Sequence, residues 1–259
     1  MSGIGSRIRA LLFPPRCAAC GVLLDWFEAG RGNDALCDGC LKKWDVAKLE
    51  PCEICTEAVS VCRCMTEELK RAKVTELSKL VYYHARKRDT VQNRVIFRIK
   101  ETRDARTEAW LAMQLQGRLA AIVAEAGEGN VVLTYAPRTR RAFFESGTDQ
   151  ARALARALSR QTGVPLVNAF RRSAGQMQAQ KSLSAEKRVR AAKKAYIVRR
   201  NMEDAVKDRT VVLIDDIVTT GATLGACARL LRQNGASRVY CFAVASDDTN
   251  RDAAVAVTL

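Results

Sequence analysis

The sequence predicts an α/β protein whose mostly parallel sheet carries helices on both faces, preceded by a small cysteine-rich module. Two observations predict this division. Eight of the ten cysteines fall before residue 65, and short apolar runs alternate with amphipathic helical stretches after residue 76. At 259 residues, 48% hydrophobic and 27% charged, the chain has the length and composition of a folded two-part protein, here divided as 1–70 and 76–259.

The first part holds Cys17, Cys20, Cys37, Cys40, Cys52, Cys55, Cys62 and Cys64 as CAAC, CDGC, CEIC and CRC. Each pair sets two thiolates on one tight turn, close enough to share a tetrahedral Zn2+. Disulfides would need an oxidising compartment. The opening MSGIGSRIRALLFPP has Arg7 and Arg9 before a short apolar patch, then Pro14 and Pro15, and lacks the apolar core of an export signal. Zinc and a cytoplasmic location are the expectation. Eight thiolates suffice for two four-cysteine sites, 17/20/37/40 and 52/55/62/64, although an interleaved pairing or a single occupied site is equally writable. Metal binding would supply much of the folding energy of so small a segment. No apolar run approaches the roughly 20 residues of a membrane span.

The polar MTEELKRAKVTE (65–76) reads as the boundary. LVYYH (80–84) is predicted as a strand, TEAWLAMQLQGRLAAIVAEAGEG (107–129) as a helix stopped by glycines, and VVLTYAP (131–137) as the next strand. TDQARALARALSRQTG follows as a helix with Gly163 as its C-cap. PLVNAF, AYIV, VVLID and VYCFAVA complete the strands, with TLGACARLLRQNG a helix between the last two. Cys227 and Cys241 sit in apolar segments and read as small buried residues. His84, Tyr82 and Tyr83 read as strand residues, and a single histidine leaves little room for Ser-His-Asp or Cys-His catalysis.

VVLIDDIVTTGATL (211–224) carries the chemistry. In a parallel sheet, ligands bind beyond the carboxyl ends of the strands. There the apolar run reaches Asp215 and Asp216, and Thr219, Thr220, Gly221, Ala222 and Thr223 form a turn whose N–H groups and hydroxyls suit a phosphate. The carboxylates can accept from neighbouring sugar hydroxyls or hold hydrated Mg2+. A phosphate beside a diol describes a ribose 5-phosphate. A strand whose acids merely cap the next helix is the plainer alternative. No GxxxxGK[ST] occurs, which disfavours a Walker-type nucleotide site.

Net charge is +15, of which about +14 lies beyond residue 75. Arg171–Arg200 has ten basic residues against Glu186 alone. Such a surface attracts phosphates or nucleic acid, unless it is simply a solvated face.

The thirteen residues Val211–Thr223 resemble the signature of type I phosphoribosyltransferases. With the cysteine module in front, the chain resembles the ComF family of competence-associated proteins. LLFPPRCAACG, LVYYHARKRDTVQNRVIFRIKE, TYAPRTRRAFFESGTDQARALA and QKSLSAEKR are similar to its segments. Ser146, Thr148 and Ala191 depart from it, where many relatives have arginine, an aromatic residue and asparagine. The resemblance implies binding of phosphoribosyl pyrophosphate, or another ribose phosphate, with Mg2+. Asp215 and Asp216 would act at the ribose as the catalytic acids, Thr219–Thr223 would hold the 5-phosphate, and Arg138, Lys100, Lys181 and Arg188 would contact pyrophosphate. The acceptor is open. It equally implies a competence protein that binds single-stranded DNA alongside other DNA-uptake proteins, with which the basic stretches 86–106 and 171–200 are compatible. A regulatory role with the zinc module as protein contact is a third reading.

Overall fold

A computed structural model describes residues 14–24, 35–87, 89–102, 104–138, 147, 149–172, 195–200 and 202–247. In chain order these form α1 (Asp38–Lys48), α2 (Glu67–Arg71), β1 (Glu76–Tyr83), α3 (Val91–Glu101), α4 (Ala105–Ala126), β2 (Val131–Tyr135) and α5 (Gln150–Thr162). There follow β3 (Phe170–Arg172), β4 (Tyr196–Val198), α6 (Glu203–Val206), β5 (Thr210–Val218), α7 (Ala222–Gln233) and β6 (Arg238–Asp247). The strands β1-β6-β5-β2 pair in that order, all parallel, while β3 and β4 form a separate antiparallel pair. The predicted α/β class holds.

Alternation along the central strands builds a core on each side of the sheet. Val212 and Ile214 of β5, with Phe242 and Val244 of β6, meet the helices α3, α4 and α5, while Val211, Leu213, Cys241 and Ala243 meet α7 and the β3–β4 pair. Cys227 and Cys241 are fully buried, as small core residues should be. The Asp104 carboxylate accepts from Arg106 and Thr107 N–H to start α4, and Asp149 accepts from Arg152 N–H to start α5. Gly163 ends α5 at φ 74°, the left-handed cap its sequence predicts.

Several boundaries differ from expectation. β1 begins at Glu76 and stops before His84, because Ser78 and Lys79 are buried despite their polarity. Lys79 Nζ donates to the Cys64 carbonyl at 2.9 Å, which satisfies an ammonium that would otherwise be costly to bury. PLVNAF forms only a bridge from Leu166 to Leu133 before β3 starts at Phe170. Much of the basic 86–106 stretch is α3, and most of 171–200 lies outside the described residues.

The cysteine-rich part shares its core with the sheet. Trp44 of α1 is fully buried and meets Trp110 of α4 edge-on, centroids 4.9 Å apart. Glu50 sits 3.0 Å from His84 Nε2 and also accepts from Gln92 Nε2 at 3.1 Å. His84 is thus held as a joint between the two parts, in keeping with its reading as a structural residue. No helix among the described residues is long and apolar enough to cross a membrane.

Candidate functional site

β5 does not end at the acids. Pairing with β6 continues through Asp215, Ile217 and Val218, opposite Ala243, Ala245 and Ser246, so the carboxylates stand on extended strand rather than in a loop. Sequence pattern misses this because hydrophobicity stops at Ile214, whereas backbone pairing is indifferent to side-chain polarity. The consequence is a division of labour. Asp215 continues the Val211–Leu213 row and lines a cavity of about 110 Å³ with Ile217, Val218 and the 219–223 turn. Asp216 continues the opposite row, where Lys100 Nζ of α3 and Arg138 Nη2, just beyond β2, approach one carboxylate oxygen at 3.6 and 3.8 Å.

Their electrostatics diverge accordingly. Burial and then the neighbouring Asp216 charge push the Asp215 carboxyl well above the usual range. Burial also acts on Asp216, but Lys100 and Arg138 outweigh it and hold its carboxyl below that range. The sign for stability follows. Asp215 binds its proton more tightly folded than unfolded, so its ionisation subtracts stability as pH rises above about 4, where the unfolded carboxyl ionises. Asp216 adds stability above its unfolded value and loses it as pH falls through its depressed folded one. Asp215→Asn is therefore expected to melt at a higher temperature than the native chain at neutral pH, with the gain vanishing below about pH 4. Melting curves across pH check this, and an unchanged or lower melting temperature at pH 7 would refute it.

The turn after β5 is closed by Gly221, the N-cap of α7, at φ 75°. Thr220 Oγ1 accepts from Ala222 N–H at 3.3 Å, which folds the hydroxyl-rich turn onto the helix start. Thr219, Thr220, Gly221, Ala222 and Thr223 all line the cavity together with Asp215. Asp215, Asp216, Lys100 and Arg138 are thus brought together with the threonine turn. Lys181 and Arg188, and the departures at Ser146, Thr148 and Ala191, lie outside the described residues.

Sequence reasoning missed two contributors. Tyr196 of β4, read only as a strand residue, is buried with Thr223 in hydrogen-bonding contact with its hydroxyl. The Arg172 guanidinium lies over its ring, 4.9 Å from the centroid, and donates to its hydroxyl at 3.3 Å. The second is the supposed boundary segment. Thr66 and Leu69 pack so closely on Gly221 that a Cβ there would meet Thr66 Oγ1 at 2.3 Å and Leu69 Cγ at 3.0 Å. Glu68 on the same short helix pairs with Arg229 of α7 at 2.6 Å. The polarity of MTEELKRAKVTE hid these contacts.

The cysteines gather as Cys17, Cys20, Cys37, Cys40 and as Cys52, Cys55, Cys62, Cys64, with the sulfurs of each group within 4.8 Å of one another. Of the pairings open from sequence, the structure brings together the non-interleaved one. Two sulfurs at about 2.3 Å from a tetrahedral zinc stand about 3.8 Å apart; Cys20 and Cys37 sulfurs are 3.7 Å apart, Cys55 and Cys62 sulfurs 3.5 Å. The two turns are built alike. Gly21 N–H donates to Cys17 O and Thr56 N–H to Cys52 O, both with positive φ, 76° and 63°. In the second group Cys64 N–H and Lys79 Nζ reach Cys62 Sγ at 3.3 and 3.5 Å, the donors a thiolate wants.

The family described as "Phosphoribosyl transferase domain" matches residues 146–256. Competence protein F of Haemophilus influenzae is 31% identical over 39% of this chain and 44% of its own length. DNA utilization protein YhgH of Escherichia coli is 36% identical over 40% of this chain and 45% of its own. The matches thus span less than half of each curated relative. A crystal structure of adenine phosphoribosyltransferase from Leishmania tarentolae is 15% identical, over 60% of this chain and 76% of that one, with a TM-score of 0.35. Residues 146–256 are therefore similar to a phosphoribosyl transferase domain, and the chain is similar to competence protein F and the YhgH proteins, the relationship its sequence resemblance implied.

Proposed function

We propose that the chain binds phosphoribosyl pyrophosphate in the cradle 215–223 with Mg2+, as the donor for pentosyl transfer to an acceptor still to be identified. The observation that carries this reading is the meeting of Asp215, the threonine turn, Asp216, Lys100 and Arg138 at the carboxyl end of one strand. The 219–223 turn would hold the 5-phosphate and Asp215 a ribose hydroxyl. Lys100 and Arg138, now partnered with Asp216, are placed to turn toward a pyrophosphate that brings more negative charge than one carboxylate.

Asp216 Oδ2 is buried and makes no hydrogen bond among the described residues, and the Asp215 side chain approaches that of Asp216, so the acid pair fits a hydrated ion. Mg2+ there would neutralise the leaving pyrophosphate. Two Zn2+ ions would sit in the four-cysteine groups as structural metals.

Calorimetry with phosphoribosyl pyrophosphate and Mg2+ tests the cradle. Asp215→Asn/Asp216→Asn should weaken binding about tenfold or more, as expected for lost charge-assisted contacts, and unchanged affinity discards the reading. A nucleobase screen for pyrophosphate release then asks for the acceptor. A second reading, a single-stranded DNA-binding role in DNA uptake with other uptake proteins, is favoured by the similarity to competence protein F and the DNA utilization protein YhgH and by the +15 charge.

A further inference from the structure

The β3–β4 pair has two faces that do different things. Phe170, Arg172, Tyr196 and Val198 alternate with Arg171 and Ile197, which pair with each other across the ladder. The first set turns inward, and Tyr196 and Arg172 reach the cradle through Thr223. Arg171 and Ile197 are exposed on the other side. There Arg171 borders a groove of about 730 Å³ together with Leu166, Val167, Asn168, Arg199, Arg200 and Met202. This is the size range of small-molecule sites.

Its lining is selective. Three arginines and one asparagine line it beside Leu166, Val167 and Met202, and no acidic residue does so among the described residues. Arg199 is fixed, its N–H donating to Ala169 O at 2.9 Å and its Nε to Phe170 O at 3.0 Å. Arg171 and Arg200 are exposed and make no ion pair among the described residues. Planar guanidiniums favour phosphate oxygens through paired donors, and their faces together with an apolar strip favour a base.

We propose that this groove is a second anion site, separate from the cradle, that takes a nucleoside phosphate: Arg171, Arg199 and Arg200 hold the phosphate, and Leu166, Val167 and Met202 support the base. A free nucleotide and a nucleotide within a single strand present the same chemistry, and the experiment separates them.

The full chain is titrated into a fluorescein-labelled single-stranded oligothymidylate and followed by anisotropy over a range of salt. Three proteins are compared: native, Arg171→Gln/Arg200→Gln, and Asp215→Asn/Asp216→Asn. The arginine variant, whose melting temperature should match the native chain because both side chains are exposed, is expected to bind about tenfold or more weakly. Its slope of log affinity against log salt should shrink by about 1.4, two phosphate contacts at about 0.7 each. The cradle variant should bind like the native chain, so failure here and failure of phosphoribosyl pyrophosphate binding are read separately. Displacement by thymidine 5′-monophosphate identifies a free-nucleotide occupant, its absence a strand, and either supports the site. Equal affinity of native and arginine variants, or loss in the cradle variant alone, overturns it.

Discussion

Removing the metal from the second cysteine group, by chelation or by Cys62→Ser, is expected to lower the melting temperature of the whole chain by about 10 °C or more, at roughly 2–4 °C per kcal/mol for a domain of this size. Cys62 is 1% exposed and its sulfur lies 3.5 Å from Lys79 Nζ, itself buried on β1. Four thiolates within 4.8 Å repel one another without a cation, and the lysine loses its best counter-charge if they protonate. Structural zinc in small modules contributes about 10–16 kcal/mol of apparent binding energy, so even partial loss is large. The effect should not stay local, because Trp44, Leu36 and Cys17 belong to the same apolar core as α3, α4 and the sheet. Metal analysis should find two zinc ions per native chain and one in Cys62→Ser, matching the two four-cysteine groups. A native chain with no zinc, or a melting temperature indifferent to chelation, would sink the assignment.

What could be read from the sequence was what local pattern encodes. Apolar runs located the central strands β2, β5 and β6, Gly163 marked a helix end, and the spacing of the cysteines paired them as CxxC and CxC turns while leaving open which turns share a site. The acid pair and threonine turn were legible because their residue types are unusual after an apolar run. What escaped were contacts made across long separations by residues whose polarity argues for surface. Lys79 is buried because the cysteine module meets β1 and offers the Cys64 carbonyl. Thr66 and Leu69 are drawn to α7 by a glycine far along the chain. Tyr196 sits in a three-residue strand too short for any periodic signal. The different surroundings of Asp215 and Asp216 were implicit in strand alternation, but only once β5 was known to run past them to Val218.

Gly221→Ala is expected to destabilise the chain by about 2–4 kcal/mol, about 1–2 from holding an alanine at left-handed φ and the rest from overpacking. Both terms come from one place. Gly221 has φ 75°, and its missing Cβ leaves room for Thr66 and Leu69, the former with a buried hydroxyl that makes no hydrogen bond among the described residues. Only glycine lets the helix from the cysteine module lie against the first turn of α7, and the same turn forms the cavity. Phosphoribosyl pyrophosphate affinity should therefore fall together with stability. A double-mutant cycle separates packing from backbone strain. Thr66→Ala removes the nearer obstruction and should recover part of the loss in the Gly221→Ala background, while costing little alone. Strict additivity of the two changes, or native stability in Gly221→Ala, would show that the contact does not shape the turn. Recovery of stability without recovery of binding would instead locate the damage in the backbone of the turn, where the left-handed residue sets the direction of the N–H groups at the start of α7.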